Sequence, residues 1–426
     1  MTPTRAFVLS AAAALACGAC SSSSNAPNID APVSHDGPSD RADVGPEADG
    51  GDGADAPGDG PAPPTLTAAF VKAIDLPGIP VGAAYNAGTK KAYFACVTPA
   101  GASAGVAVVD DVQDEVVATI TPAAAVSSLA ADATTKVVYA AEGAAIEVID
   151  SARDVVAKTV TIPDGSIIAG LAVDESHDKT YVVTTGVGGT ELFVLDGPTA
   201  TLTSLRQPLL APVGMPVAAV DGPTQQLFIL GNDSQAEGLV VTLDAPSGVP
   251  THVFATPGKL DPAVSGVVLL GGGGAALLAV SPGVVEGLMQ GEFTLPAAFK
   301  PAGVTAADLG QGPIVLVAGL RAGGGLEGLG VDTSTGGISP FQVPLAADLP
   351  ASTTAARLLT AAPVSRGSEV YVTPTPDPKS GAAYAPAQAL KLIVTSTGAP
   401  RPEPSADAAT DSGADASPDA ADAATD

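Results

Sequence analysis

The chain of 426 residues has no tryptophan, three cysteines, three histidines, and 18 lysines and arginines against 45 aspartates and glutamates. Each shortage removes a class of function. A net charge of −27 with no basic patch repels phosphate backbones, which argues against nucleic-acid binding. Cys17 and Cys20 both fall near the N-terminus. Cys96 is left with no partner, so there is no disulfide framework, and it reads as a small core residue. His35, His177 and His252 are scattered along the chain, too few and too far apart to propose a histidine-based hydrolase. The apolar run Ala6–Ala16 covers eleven residues. That is the length of a signal-peptide core and too short to span a bilayer. No other stretch spans a membrane.

Arg5 places a positive charge ahead of that run, and small residues lead into Cys17-Gly18. The stretch Ala13-Ala14-Leu15-Ala16-Cys17 resembles the lipobox of bacterial lipoproteins, in which the residue before the cysteine is small and the thiol takes a diacylglycerol. The resemblance implies a signal peptide over 1–16 and lipidation at Cys17. Cys20, preceded by Ala19, competes, but it would place Cys17 where a small or aliphatic residue is usual. Acylation implies a membrane anchor. Gly18, rather than Asp, after Cys17 points by the same analogy to the outer membrane or cell surface.

Residues 17–65 are rich in Asp, Gly, Pro and Ser, and from 21 onward have no Tyr, Phe, Leu or Met. Such a segment cannot bury enough apolar surface to offset its ordering entropy, so it is expected to be a disordered tether. Residues 399–426 carry Asp407, Asp411, Asp415 and Asp419. Like charges at that spacing weaken a helix despite the alanines, so a second disordered tail is expected. The Asp-Gly runs have calcium-type ligands but match no twelve-residue calcium loop. Removing both tails leaves 29 acids and 15 bases in 66–398.

The middle repeats itself. Ala92-Tyr93-Phe94-Ala95, Val138-Tyr139-Ala140-Ala141, Thr180-Tyr181-Val182-Val183 and Leu227-Phe228-Ile229-Leu230 are copies of one phrase. Fainter copies lie at 277–280, 314–317 and 370–373. Each follows a short small-residue run and a polar turn, as in Gly170-Leu171-Ala172-Val173-Asp174 before Glu175–Lys179. Each leads to a third run that ends on Asp110, Asp150, Asp196, Asp244 or Asp332. A fourth run closes the unit, as in Val116–Ile120 and Val155–Pro163. Four short β-branched runs per repeat of ~40–50 residues are the mark of a propeller. Helical periodicity is nowhere sustained, with Pro350–Ala362 the one candidate exception. The final unit lacks a fourth run. Ala69–Pro77, ahead of the first unit, has the character of one and is expected to complete that blade and close the ring.

Units of this form, clearest over 79–204, resemble the YVTN-type β-propeller repeat of secreted bacterial proteins. The resemblance implies an all-β fold: a propeller of about seven four-stranded blades over 66–398, flanked by disordered acidic tails. Quinone-dependent dehydrogenases also use propellers, but their blades dock through tryptophans, and this chain has none.

Chemistry is harder to find. Aspartates that recur once per blade cap turns. His177, among Asp174, Glu175 and Asp178, reads as part of a solvated turn. Gly323–Gly328 has the spacing of a dinucleotide loop, but Leu329–Thr333 leads into a strand where a helix would be needed. No catalytic residue, cofactor or metal is expected. What varies between units is the connections at 98–105, 205–215, 231–238, 254–263, 319–328 and 338–356. They make one face the candidate surface for a protein or saccharide partner. The leading expectation is a lipid-anchored envelope scaffold. The alternative is a lactonase-like propeller hydrolase acting on a small sugar lactone, which would need a non-repeated polar cluster.

Overall fold

The computed structural model describes residues 65–397 with gaps, the longest at 206–216, 256–277, 343–352 and 377–386; between 278 and 366 few side chains are described. No helix stands among the described residues. The first blade is β2 (Ile79–Asn86), β3 (Lys91–Val97), β4 (Ser103–Asp110) and β5 (Glu115–Ile120). The second is β6 (Ser128–Asp132), β7 (Val137–Glu142), β8 (Ala145–Asp150) and β9 (Val155–Thr161). The third is β10 (Ile167–Asp174), β11 (Lys179–Gly186), β12 (Gly189–Asp196) and β13 (Thr201–Ser204). The fourth is β14 (Val217–Asp221), β15 (Gln226–Asn232), β16 (Gly238–Asp244) and β17 (Pro250–Ala255). All pair antiparallel in sequence order. The fold is an all-β propeller.

The closing blade has a different order. β25 (Thr353–Val364), β26 (Gly367–Pro376) and β27 (Gln388–Thr397) are joined by β1 (Thr65–Asp75), which pairs with β27 from Thr65↔Thr397 to Asp75↔Gln388. The start of the folded region thus supplies the fourth strand of its last blade, as the sequence implied. The candidate helix at 350–362 does not form; Thr353–Val364 is the strand β25, paired along β26.

Two further sheets lie between the fourth and closing blades. One has three strands, β18 (Leu278–Ser281), β19 (Val284–Gly287) and β20 (Gly291–Thr294). The other has four, β21 (Lys300–Asp308), β22 (Pro313–Leu320), β23 (Leu326–Asp332) and β24 (Ile338–Gln342). The expectation of about seven full blades is therefore corrected. Five stand with their packing described, joined by four seams that each hold an apolar cluster. The shortfall falls where the repeat is weakest, around the glycine run Gly271–Gly274, which lies outside the described residues. Within the connection read as 338–356, Ile338–Gln342 is instead the outer strand β24.

The turns explain why the units fold alike. Lys90, Lys136, Asp178 and Gln225 all have positive φ, at 54°, 57°, 52° and 53°. Each is the last residue of the turn between first and second strands, the left-handed position that ends a four-residue hairpin loop. Asn86 and Asp132 open two of these turns and accept from the backbone N–H groups of Thr89 and Thr135 at 3.2 and 2.9 Å. At the end of the third strands, Asp110 Oδ1 accepts from Val112 and Gln113, and Asp150 Oδ1 from Ala152 and Arg153. Asp110, Asp150 and Asp244 are turn caps, as read.

Packing then joins the blades. Each apolar cluster lies between two successive sheets. Tyr93, Ala95, Val106 and Val108 meet Val126, Val138 and Ile149 across the first seam. Tyr139, Ile146 and Ile162 meet Ile168, Val182 and Phe193 across the next. Side chains of this size that are fully buried each contribute about 1.5–3 kcal/mol.

Candidate functional site

The polar chemistry of the described residues gathers at the seams. In two blades the tyrosine of the repeat does more than pack. Tyr93 of β3 crosses to the turn after β8 and donates to Asp154 at 3.0 Å, where Lys91 Nζ also reaches Asp154 at 2.6 Å. Burial, then the Asp154 charge, push the Tyr93 hydroxyl far above its ordinary range.

The closing seam carries a modified version. Tyr371 of β26 donates to Asp111 at 2.7 Å in the turn after β4. Lys391 stands opposite Tyr371 in the ladder, where β4 has Val108 opposite Tyr93. Its ammonium meets Asp111 Oδ1 at 3.0 Å, Asp114 at 2.7 Å and Glu369 at 3.4 Å, and donates to the Asp111 carbonyl at 2.7 Å. Tyr85 donates to the other Asp111 oxygen at 3.0 Å. Lys391 is 3% exposed and Asp111 7%. Burial works against the Asp111 charge, but hydrogen bonds from Tyr371 and Lys391 hold its carboxyl below the usual range. Burial likewise opposes the Lys391 charge, and Asp114 and Asp111 keep it above the ordinary lysine value. Glu369 is pushed up, by burial first and then by Asp111, against the pull of Lys391. Nothing in the sequence reading singled out Asp111, Glu369 or Lys391. The available signal was a lysine in a third strand whose copies carry valine in the first three blades and threonine in the fourth.

His177 is held more firmly than a solvated turn implies. Its Nδ1 lies 2.8 Å from Asp174 and 3.2 Å from Ser176 Oγ, and its Nε2 lies 2.8 Å from Gln225 of the fourth blade. Serine and carboxylate share one ring nitrogen while the other is occupied. Relay catalysis needs them on opposite nitrogens, so the trio ties two blades and does not form a nucleophile. Cys96 is buried, donates to the Phe94 carbonyl at 3.4 Å, and has its thiol pushed up by burial to about 11. That value removes it as a thiolate nucleophile at neutral pH. Leu326–Asp332 is a strand, so the glycine run at 323–328 opens no helix. The lipidation candidate Cys17 lies outside the described residues.

One polar group departs from the repeat and was missed altogether. Glu142 ends β7 and Glu147 lies in β8, opposite Ala140. At the register of Glu147 the neighbouring blades carry Ala107 and Phe193. Both glutamates are buried, 8% and 6% exposed, on the side of the second blade that faces the first. Burial, then a hydrogen bond and like charge from Glu142, push the Glu147 carboxyl above its ordinary range, against one backbone hydrogen bond from Ala123. Glu147 Oε2 is buried with no partner. Among the described residues no Lys, Arg or His forms an ion pair with either glutamate, and no group of three or more His, Cys, Asp or Glu stands in metal-holding geometry.

No protein-family model matches the chain, and no curated protein matches it in sequence. Solved structures do. The Cps50 (Swd1) β-propeller domain of Myceliophteria thermophila is similar at a TM-score of 0.53 and 10% identity, over 78% of this chain and 100% of that one. A chain of the mitotic checkpoint complex is similar at a TM-score of 0.52 and 12% identity, over 83% of this chain and 98% of that one. At these identities the likeness is one of fold, a β-propeller.

Proposed function

We propose that the chain is an exported, lipid-anchored propeller of the YVTN type that serves as a binding scaffold at the cell envelope. In this reading the acyl group sits on Cys17, in the outer membrane or at the cell surface. The observation that carries the proposal is the contrast between the two kinds of connection. In the first four blades the turns between first and second strands are all four residues long and end on a left-handed residue. The connections between second and third strands and between blades differ in length and composition from unit to unit, as in Glu142–Ala145 against Val97–Ser103. A rigid ring that varies on one face is built to present that face. Similarity to a propeller from a checkpoint complex, an assembly of proteins, is in keeping with a role in protein binding.

One experiment tests both halves. Wild type, Cys17→Ala, and a chain with 319–325 and 343–352 replaced by Gly-Ser turns are expressed in a bacterium with lipoprotein processing, then fractionated and cross-linked. Cys17→Ala is expected in the soluble fraction, and the loop variant is expected on the membrane but without cross-linked partners. Membrane retention of Cys17→Ala together with unchanged cross-links in the loop variant defeats the proposal.

A further inference from the structure

The Glu142–Glu147 pair poses a charge problem that the protein alone leaves unsolved. Two carboxylates in contact, each more than nine-tenths buried, cannot both ionise without a counter-charge. The seam around them is apolar, with Val106 and Ile120 on the first-blade side and Val126 in the connection between the blades. Apart from Glu142, the donor to Glu147 is the Ala123 backbone N–H. A shared proton neutralises only one of the two charges, and Glu147 Oε2 finds no partner among the described protein groups. An unpaired oxygen of this kind costs about 1–3 kcal/mol, more for a charged group. A hard cation between the two groups cancels both charges and coordinates that oxygen.

We propose that Glu142 and Glu147 form a binding site for a hard divalent cation of the calcium type at the seam between the first and second blades. The site lies at the hairpin end of the second blade, beside the connection at 121–127. Gly143 of this hairpin accepts from Ile168, and Ala144 accepts from Ile162, so the hairpin is fixed on its far side. Two side-chain ligands, with water and backbone oxygens completing the shell, place the site in the weak class, with Kd about 10⁻⁴–10⁻³ M. Bound metal would pin two blades together at the face that varies between units.

The test is a thermal melt of the full chain with Ca²⁺ titrated against a Na⁺ control of equal ionic strength, on wild type, Glu147→Gln and Glu147→Ala. Glu147→Ala copies Ala107 of the first blade and guards against loss of folding in the glutamine variant. Wild type is expected to rise by about 3 °C or more in about 10 mM Ca²⁺, with half the effect or less in each variant. An equal rise in all three chains assigns calcium to the acidic tails and overturns the site. So does a Glu147→Gln chain that is more stable than wild type without metal while wild type ignores calcium, because the pair then holds only a proton.

Discussion

Lys391 illustrates how much one residue can concentrate. A buried ammonium facing Asp111, Asp114 and Glu369 gains little over an apolar seam, but removing it leaves three acids in want of a cation. Lys391→Met is expected to cost about 3–5 kcal/mol, read as a lower unfolding midpoint in urea. The repeat supplies its own control. Position 391 matches Val108, position 111 matches Ser151, and position 369 matches Lys91, by ladder and turn register. The triple variant Lys391→Val, Asp111→Ser, Glu369→Lys rebuilds the first seam at the closing one and is expected to recover most of the loss. A triple variant no more stable than Lys391→Met refutes the register argument.

The same cluster makes the acid range informative. The folded pKa of Glu369 is raised, so its contribution is complete below the unfolded value, about 4.3, and is lost as pH rises through the folded value. Asp111 runs the other way. Its pKa is lowered, so its contribution is present above about 3.9 and disappears as pH falls through the folded value. Glu369→Gln is expected to flatten the decline in melting temperature between about pH 4.5 and 7 while leaving the acid-side loss below pH 4 in place. An unchanged slope shows that Glu369 titrates normally.

Among the elements, β1 has the most consequence. Its register with β27 skips Val71 between Phe70 and Lys72. Three other outer strands skip one residue at the matching place, Val117 in β5, Ala157 in β9 and Thr251 in β17, while β13 and β24 pair without a skip. A bulge here bends the strand and blunts its free edge. That β1 shares it, from the opposite end of the chain, marks it as a true fourth strand. Deleting 65–75 exposes the long, apolar edge of β27, and the expected result is aggregation or higher oligomers by light scattering. A soluble monomer with the wild-type melting temperature would show that closure contributes nothing.

This element was legible in the sequence because Ala69–Pro77 carries the composition of Val156–Pro163, and the repeat says which strand is missing. The four-run units were legible for the same reason: the tyrosine phrase, the polar turn and the terminal aspartate are local signals. The seams were not. Whether Lys391 faces solvent or Asp111 depends on two residues 280 apart, and no periodicity reports that. Glu142 and Glu147 look like ordinary hairpin acids until the first blade is laid over them. The weakly patterned fifth unit was read as a full blade by counting copies, and glycine-rich copies fix strands poorly.

At the scale of the molecule, the propeller is a chain of seams of unequal make-up. The first three described between successive blades are largely apolar, the first also carrying the Lys91–Asp154 ion pair and the buried Glu142 and Glu147. The closing one is ionic at its centre, where Lys391, Tyr371 and Phe94 stack, the rings 5.7 Å apart and edge-on. Ring closure brings together the most distant parts of the sequence, and the price in loop entropy is largest there. Directional, charge-assisted contacts at that junction select one partner for the last blade more sharply than apolar surfaces do.

The pairing of Thr65 with Thr397 has a mechanical consequence. The two ends of the folded region lie on one rung, side by side, so a load drawn between the segments before 65 and after 397 does not shear the β1–β27 ladder. It meets the hydrogen bonds singly, starting at Thr65↔Thr397, and works towards Asp75↔Gln388. The clasp that closes the ring resists stretch along its length and yields to a pull that parts its two ends.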